Sequence, residues 1–279
     1  MTPEERDALL HYFGRREKRW VMKQFRFALS RLPAATSLPG VGRTRAYLAS
    51  QRQWAKRLRS NRKFTPKTSH TGWDRSYPIS GLALYRRRDI SSKRLIVSFT
   101  GGRGRMMMAT PDYLDATSDL EADVLLVRAR NLEGYRYGLD GFAGNLVSDL
   151  KELAEFVRSL SYPICTAVGT SAGGLPAILF SHLIHVDRVI AVGPADPGRP
   201  DLPPEVKDVL QHIKGNAKIA KNEKINIVVG ENAGLRDHSS SKSWQKKYGA
   251  VVTFVEGATH GAFIPFLLNH GWGLGPSAP

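Results

Sequence analysis

Cysteine is almost absent: Cys165 is the only one in 279 residues, so no disulfide can form within the chain. It lies in an apolar run, where a small core filler is expected rather than a reactive thiol. Long apolar stretches are missing too, and no run approaches the ~20 residues that a bilayer span requires. The first ten residues, MTPEERDALL, show none of the basic-then-apolar order of a secretory signal. Together these absences predict a protein of the reducing cytoplasm. The eight histidines are scattered without ligand spacing, so no metal is expected. The glycine runs fit no nucleotide fingerprint and predict no cofactor. No Lys-Ser/Thr follows Gly101–Gly104, and no G-x-G-x-x-G opens a helix.

Acidic residues are scarce only locally. Residues 1–70 carry 17 Lys/Arg against 4 Asp/Glu, whereas residues 71–279 carry 24 against 21. A basic helical N-terminal segment, 1–72, is thereby set apart from a nearly neutral body, 73–279. Stretches 4–32 and 43–59 of that segment read as helices with loose aromatic stripes (Phe13, Trp20 and Phe27; Tyr47 and Trp54). The plain expectation is two helices that pack those aromatics and display their charge. A polyanion or an anionic membrane surface are the partners that such a surface would suit. Oligomeric state leaves no mark in the sequence.

The body alternates strand and helix patterns. Tyr77–Tyr85 predicts one or two short strands, and further strands are expected at Arg94–Phe99, Val124–Val127, Ile164–Val168, Arg188–Val192, Ile225–Val229 and Val251–Val255. Helical spacing recurs over Asn145–Leu160 and again over Glu205–Ile213. The class is α/β, with a mostly parallel central sheet and helices on both faces. Residues 194–224, one helix among several prolines, are expected to form a small cap.

The most informative stretch is PICTAVGTSAGGLPAILF, Pro163–Phe180. An apolar strand leads into Gly169-Thr170-Ser171-Ala172-Gly173 and out into an apolar helix, the context in which G-x-S-x-G makes a nucleophile elbow. A serine at the apex of so sharp a turn is held in a strained backbone, and side chains two residues to either side would collide with strand and helix. The helix behind Ser171 directs its free N–H groups, that of Ala172 first, toward any anion forming at the serine.

With that motif in place, the chain from about Arg94 onward resembles the α/β-hydrolase superfamily. The resemblance implies an α/β-hydrolase fold and a triad running Ser, acid, His along the chain. His260, in Glu256-Gly257-Ala258-Thr259-His260-Gly261 after the last strand, occupies the position of the base. The acid belongs after Ile225–Val229, where the loop offers Glu231 and Asp237. Asp237 is preferred because Ser239–Lys242 reads as the start of the following helix; Glu231 is the alternative, and Asp196, after the preceding strand, a distant third. The oxyanion hole is expected from the N–H of Ala172 with those of Gly101 or Gly102, each worth on the order of 3 kcal/mol to the transition state. The implied activity is hydrolysis of a carboxylic ester through an acyl-enzyme on Ser171. The contrary reading is a catalytically silent binding or adaptor module that works through its basic segment. The segments IVSFTGG, GYRYGLDGFAGNL (with Tyr135 and Tyr137) and GTSAGG are further similar to hydrolase-like proteins of bacterial surface-polysaccharide gene clusters. That similarity implies an acylated saccharide among the small-molecule or saccharide ester substrates.

Overall fold

The computed structural model describes residues 72–102, 104–131, 134–216, 225–270 and 272. The basic segment 1–72, its two expected helices and its polyanion or membrane contacts thus lie, Gly72 apart, outside the described residues.

Continuous apolar runs set the centre of the sheet. Strands β3 (Arg94–Phe99), β4 (Ala122–Val127), β7 (Ile164–Thr170) and β8 (Arg188–Val192) are buried along nearly their whole lengths. Parallel strands covered on both faces read this way. They join β1 (Trp73–Ser76), β2 (Leu82–Arg87), β9 (Ile225–Gly230) and β10 (Val251–Val255) in one eight-stranded sheet, ordered β1-β2-β4-β3-β7-β8-β9-β10. Only the β1–β2 and β2–β4 pairs are antiparallel. Val97 of β3 lies opposite Leu125 of β4 and Ala167 of β7.

Alternation along each strand divides the core in two. Leu95, Val97, Phe99, Ala167, Val189, Ala191, Ile227 and Val229 face one cluster. It is completed by helices α2 (Leu146–Ser159), α3 (Gly174–Leu183), α4 (Pro204–Asn216) and α5 (Leu235–Tyr248). Ile96, Val168, Ile190, Val192 and Val228 face the other, under α1 (Thr110–Thr117) and α6 (Phe263–His270). The mostly parallel sheet clad on both faces is the architecture expected. Among the described residues no helix is long and apolar enough to cross a membrane.

One local expectation differs from the structure, and two further features add to the reading. The strands foreseen across Tyr77–Tyr85 are β1 and β2, and residues 77–81 are the turn between them. A two-stranded sheet of β5 (Ala129–Asn131) and β6 (Gly134–Leu139) had no apolar run to announce it. The helix of the presumed cap, α4, buries Val206, Leu210 and Ile213 in the first cluster, beside α2, α3 and α5. It belongs to the layer that covers the sheet.

Candidate active site

At the carboxyl end of β7 the chain turns through a 3₁₀ segment, Ser171–Gly173, into α3. Ser171 has φ +53°, a left-handed conformation that costs a residue with a Cβ about 1–3 kcal/mol. Close packing holds it there. A Cβ on Gly169 would overlap the Gly173 carbonyl, and one on Gly173 would overlap the carbonyls of Phe99 and Thr100.

His260 reaches the serine from the loop after β10. That loop crosses over Gly230 so closely that a Cβ there would overlap the carbonyls of Ala258 and Thr259. The N–H of Asn232 fastens the crossing by donating to the Ala258 carbonyl at 2.8 Å. The imidazole then lies beside Gly193, where an added Cβ would stand 3.0 Å from Cε1 and 3.1 Å from Nδ1. A side chain at 193 would crowd the ring and would also be strained at φ +55°.

Two hydrogen bonds link the three side chains. His260 Nε2 is 2.9 Å from Ser171 Oγ, and Nδ1 is 2.8 Å from Asp237 Oδ2. An ionised carboxylate only accepts, so Nδ1–H donates to Asp237 and Nε2 accepts from the serine hydroxyl. Asp237 is 16% exposed and His260 36%, so the pair is sheltered at the acid and open to water at the imidazole.

Asp237 is the third residue of α5, in the first turn of a helix that begins four residues before the expected start at Ser239. A carboxylate there is favoured by the positive end of the helix dipole. Glu231, the alternative acid, points elsewhere: its Oε2 accepts from the Gly257 N–H at 3.2 Å, stapling the turns after β9 and β10. Asp196 accepts from the Gly198 N–H at 2.7 Å within its own loop.

The two glycines offered for the oxyanion hole are not equivalent. The Gly101 N–H already donates to the Arg105 carbonyl at 2.8 Å, which withdraws it from substrate. Gly102 follows at the half-buried rim of the same turn, and Ala172 is half-buried beside the serine. Sequence reasoning also missed Gly193 and the buried Tyr135 hydroxyl beneath this turn. A glycine directly after strand β8 was the one available signal for the former.

Cys165 is buried, and desolvation, followed by the Asp187 charge, pushes its thiol up to about 12. A thiol buried and held protonated in this way is a poor nucleophile at ordinary pH. Among the described residues no group of three or more His, Cys, Asp or Glu side chains is placed to hold a metal ion.

No protein-family model matches the chain, and no curated protein does. Solved structures do. A feruloyl esterase module from Clostridium thermocellum, bound to sinapinate, superposes with a TM-score of 0.52 at 12% identity, over 76% of this chain and 90% of that one. A Pyrobaculum calidifontis esterase gives 0.48 at 18% identity, over 81% and 89%. An α/β serine hydrolase without a lid, from Xanthomonas campestris, gives 0.45 at 15%, over 76% and 99%. The chain has the α/β-hydrolase fold. Within an α/β-hydrolase sheet, Ser171, Asp237 and His260 stand after β7, β9 and β10, all at the carboxyl edge, where open parallel sheets place their ligands.

Proposed function

We propose that the protein hydrolyses a carboxylic ester by way of an acyl-enzyme. Ser171 Oγ attacks the ester carbonyl as its proton passes to His260 Nε2. The resulting imidazolium is stabilised by Asp237, which also keeps the ring in the required tautomer. The N–H groups of Ala172 and Gly102 receive the oxyanion. His260 then gives its proton to the departing alcohol, and the acyl group remains on Ser171. A water molecule deprotonated by His260 attacks the acyl carbon, and its proton returns to Ser171 as the acid leaves.

The observation that carries this reading is the continuous relay from Asp237 Oδ2 through both imidazole nitrogens to a serine with φ +53°. A silent adaptor would have no use for that strain. For the substrate we infer an acylated saccharide, on the resemblance of the GTSAGG and GYRYGLDGFAGNL segments to proteins of surface-polysaccharide gene clusters. The feruloyl esterase module is by its name also an ester-cleaving protein.

Fluorophosphonate labelling together with turnover of p-nitrophenyl acetate and acetylated saccharides tests the proposal. Wild type labels on Ser171 and turns over. Ser171→Ala does neither, with kcat reduced at least about 10⁴-fold and the fold retained. Labelling that persists in a folded Ser171→Ala protein, or is never seen in wild type, would overturn it.

A further inference from the structure

The turn after β3 is held from beneath by a polar clasp that touches neither the serine nor the imidazole. Tyr135, on β6, is 4% exposed, and its ring packs edge-on against Phe99 with centroids 6.1 Å apart. Its hydroxyl donates to the Val127 carbonyl at 2.8 Å, the same oxygen that receives the Thr100 N–H at 3.1 Å. The phenol and Thr100 Oγ1 are 3.4 Å apart. Because the phenol proton is committed to Val127, the Thr100 hydroxyl is the donor across that gap. The result is a closed ring: Thr100 hydroxyl to Tyr135, Tyr135 to the Val127 carbonyl, and the Thr100 N–H to the same carbonyl.

A second tie holds the other end of the turn. The Arg105 carbonyl accepts from the Gly101 N–H at 2.8 Å and from Thr170 Oγ1 at 3.4 Å. Thr170 is the residue before Ser171, so this tie runs from the turn to the elbow itself. Between the two ties lies Gly102. Burial holds the Tyr135 phenol well above the ordinary tyrosine range, so it stays a protonated donor at any working pH.

We propose that Tyr135 is a positioning residue for ester hydrolysis: its hydroxyl, through Thr100, sets the Gly102 amide at the oxyanion of the Ser171 adduct. The inference rests on the reading of Ser171 as nucleophile and of the Thr100–Gly102 turn as the wall of the oxyanion hole. Donors of this kind act through pre-organisation, since a displacement near 1 Å costs about 10²-fold in rate. The ground-state ester gains little from a donor aimed at the tetrahedral oxygen, so the loss falls on kcat rather than KM.

The test compares full-length wild type with Tyr135→Phe, which removes one oxygen and keeps the ring on Phe99. With p-nitrophenyl acetate, kcat is expected to fall about 10- to 100-fold while KM stays within about twofold. Affinity for phenylboronic acid, which forms a tetrahedral adduct on the serine, should fall by a similar factor. Amide exchange in a peptide spanning 99–105 should accelerate. A role confined to stability would lower the melting temperature and leave kcat and boronate affinity of the folded protein unchanged, and that outcome overturns the proposal. Thr100→Val, which removes the other hydroxyl of the ring and keeps its N–H, gives the same signature and replaces Tyr135→Phe if that variant does not fold. If wild type proves to have no Ser171-dependent turnover, the esterase reading fails by itself. The exchange measurement still decides whether the clasp orders the turn, and unchanged exchange rejects it.

Discussion

The two ends of the central sheet use the same kinds of residue to opposite effect. At the amino end, Asp123 of β4 is buried and fully engaged: Oδ1 accepts from the Arg87 N–H and the Ser92 hydroxyl, both at 2.9 Å, and Oδ2 accepts from Tyr162. Both carboxylate oxygens there are engaged by neighbouring donors. At the carboxyl end, Asp237 binds one imidazole nitrogen, and the other nitrogen passes the interaction to a hydroxyl on a strained turn. Aspartate, serine and a ring group occur at both ends. What separates a brace from the site proposed to be reactive is whether the last member of the chain has anything left to give.

Exchanging charge for amide at each end is the sharpest way to break that comparison. At the carboxyl end, Asp237→Asn should lower kcat by about 10⁴-fold with the fold intact, because the amide no longer enforces the tautomer with Nε2 free to accept. Glu231→Gln, a few residues away, should stay within about twofold in the same assay. Equal losses in the two variants would dissolve the distinction between a relay acid and a staple.

At the amino end the effect should be on stability instead. Asp123→Ala leaves the Arg87 N–H and the Ser92 and Tyr162 hydroxyls without their acceptor, and urea denaturation should show a loss of about 2–4 kcal/mol. The kcat of the protein that remains folded should not change more than about twofold. A catalytic defect as large as that of Asp237→Asn would mean that the two ends are not separable.

The smallest effect concerns pH. Burial, and then the hydrogen bond and charge of Asp123, push the Tyr162 phenol up to about 12. The folded state therefore prefers the neutral phenol more than the unfolded chain does. Its contribution is complete below the ordinary tyrosine value near 10 and is lost as the pH climbs toward 12. Tyr162→Phe should cost about 1 kcal/mol at pH 8, with the gap to wild type closing above pH 10 in denaturation curves. A gap that widens with pH would reverse the assignment.

The serine turn and the parallel core were legible because their causes are local. The glycines at 169 and 173 announce close packing, and unbroken apolar runs announce strands buried on both faces. His260 was legible by its place after the last strand. Asp237 could be preferred over Glu231 only through the guess that a helix was starting. A helix does follow that loop, and it begins earlier than expected, at Leu235. The engagement of the Gly101 amide and the clasp under Thr100 were out of reach, because each depends on partners that only the folded chain brings together. The β5–β6 pair escaped for a related reason. Its exposed residues carry no apolar alternation, and it is tied down by the buried Asp149, which accepts from the Leu139 N–H at 2.7 Å and from Arg130 at 3.0 Å.

Because Asp237 rides on the first turn of a 14-residue helix, its aim is inherited from the far half of that helix. Trp244 anchors that half, fully enclosed and donating through Nε1 to the Ala195 carbonyl at 3.0 Å, while Ser240 grips Pro194. The carboxylate thus behaves like the tip of a lever whose fulcrum is an indole two turns away. Under the proposed mechanism, trimming that indole is expected to lower kcat without altering any group assigned to meet the substrate.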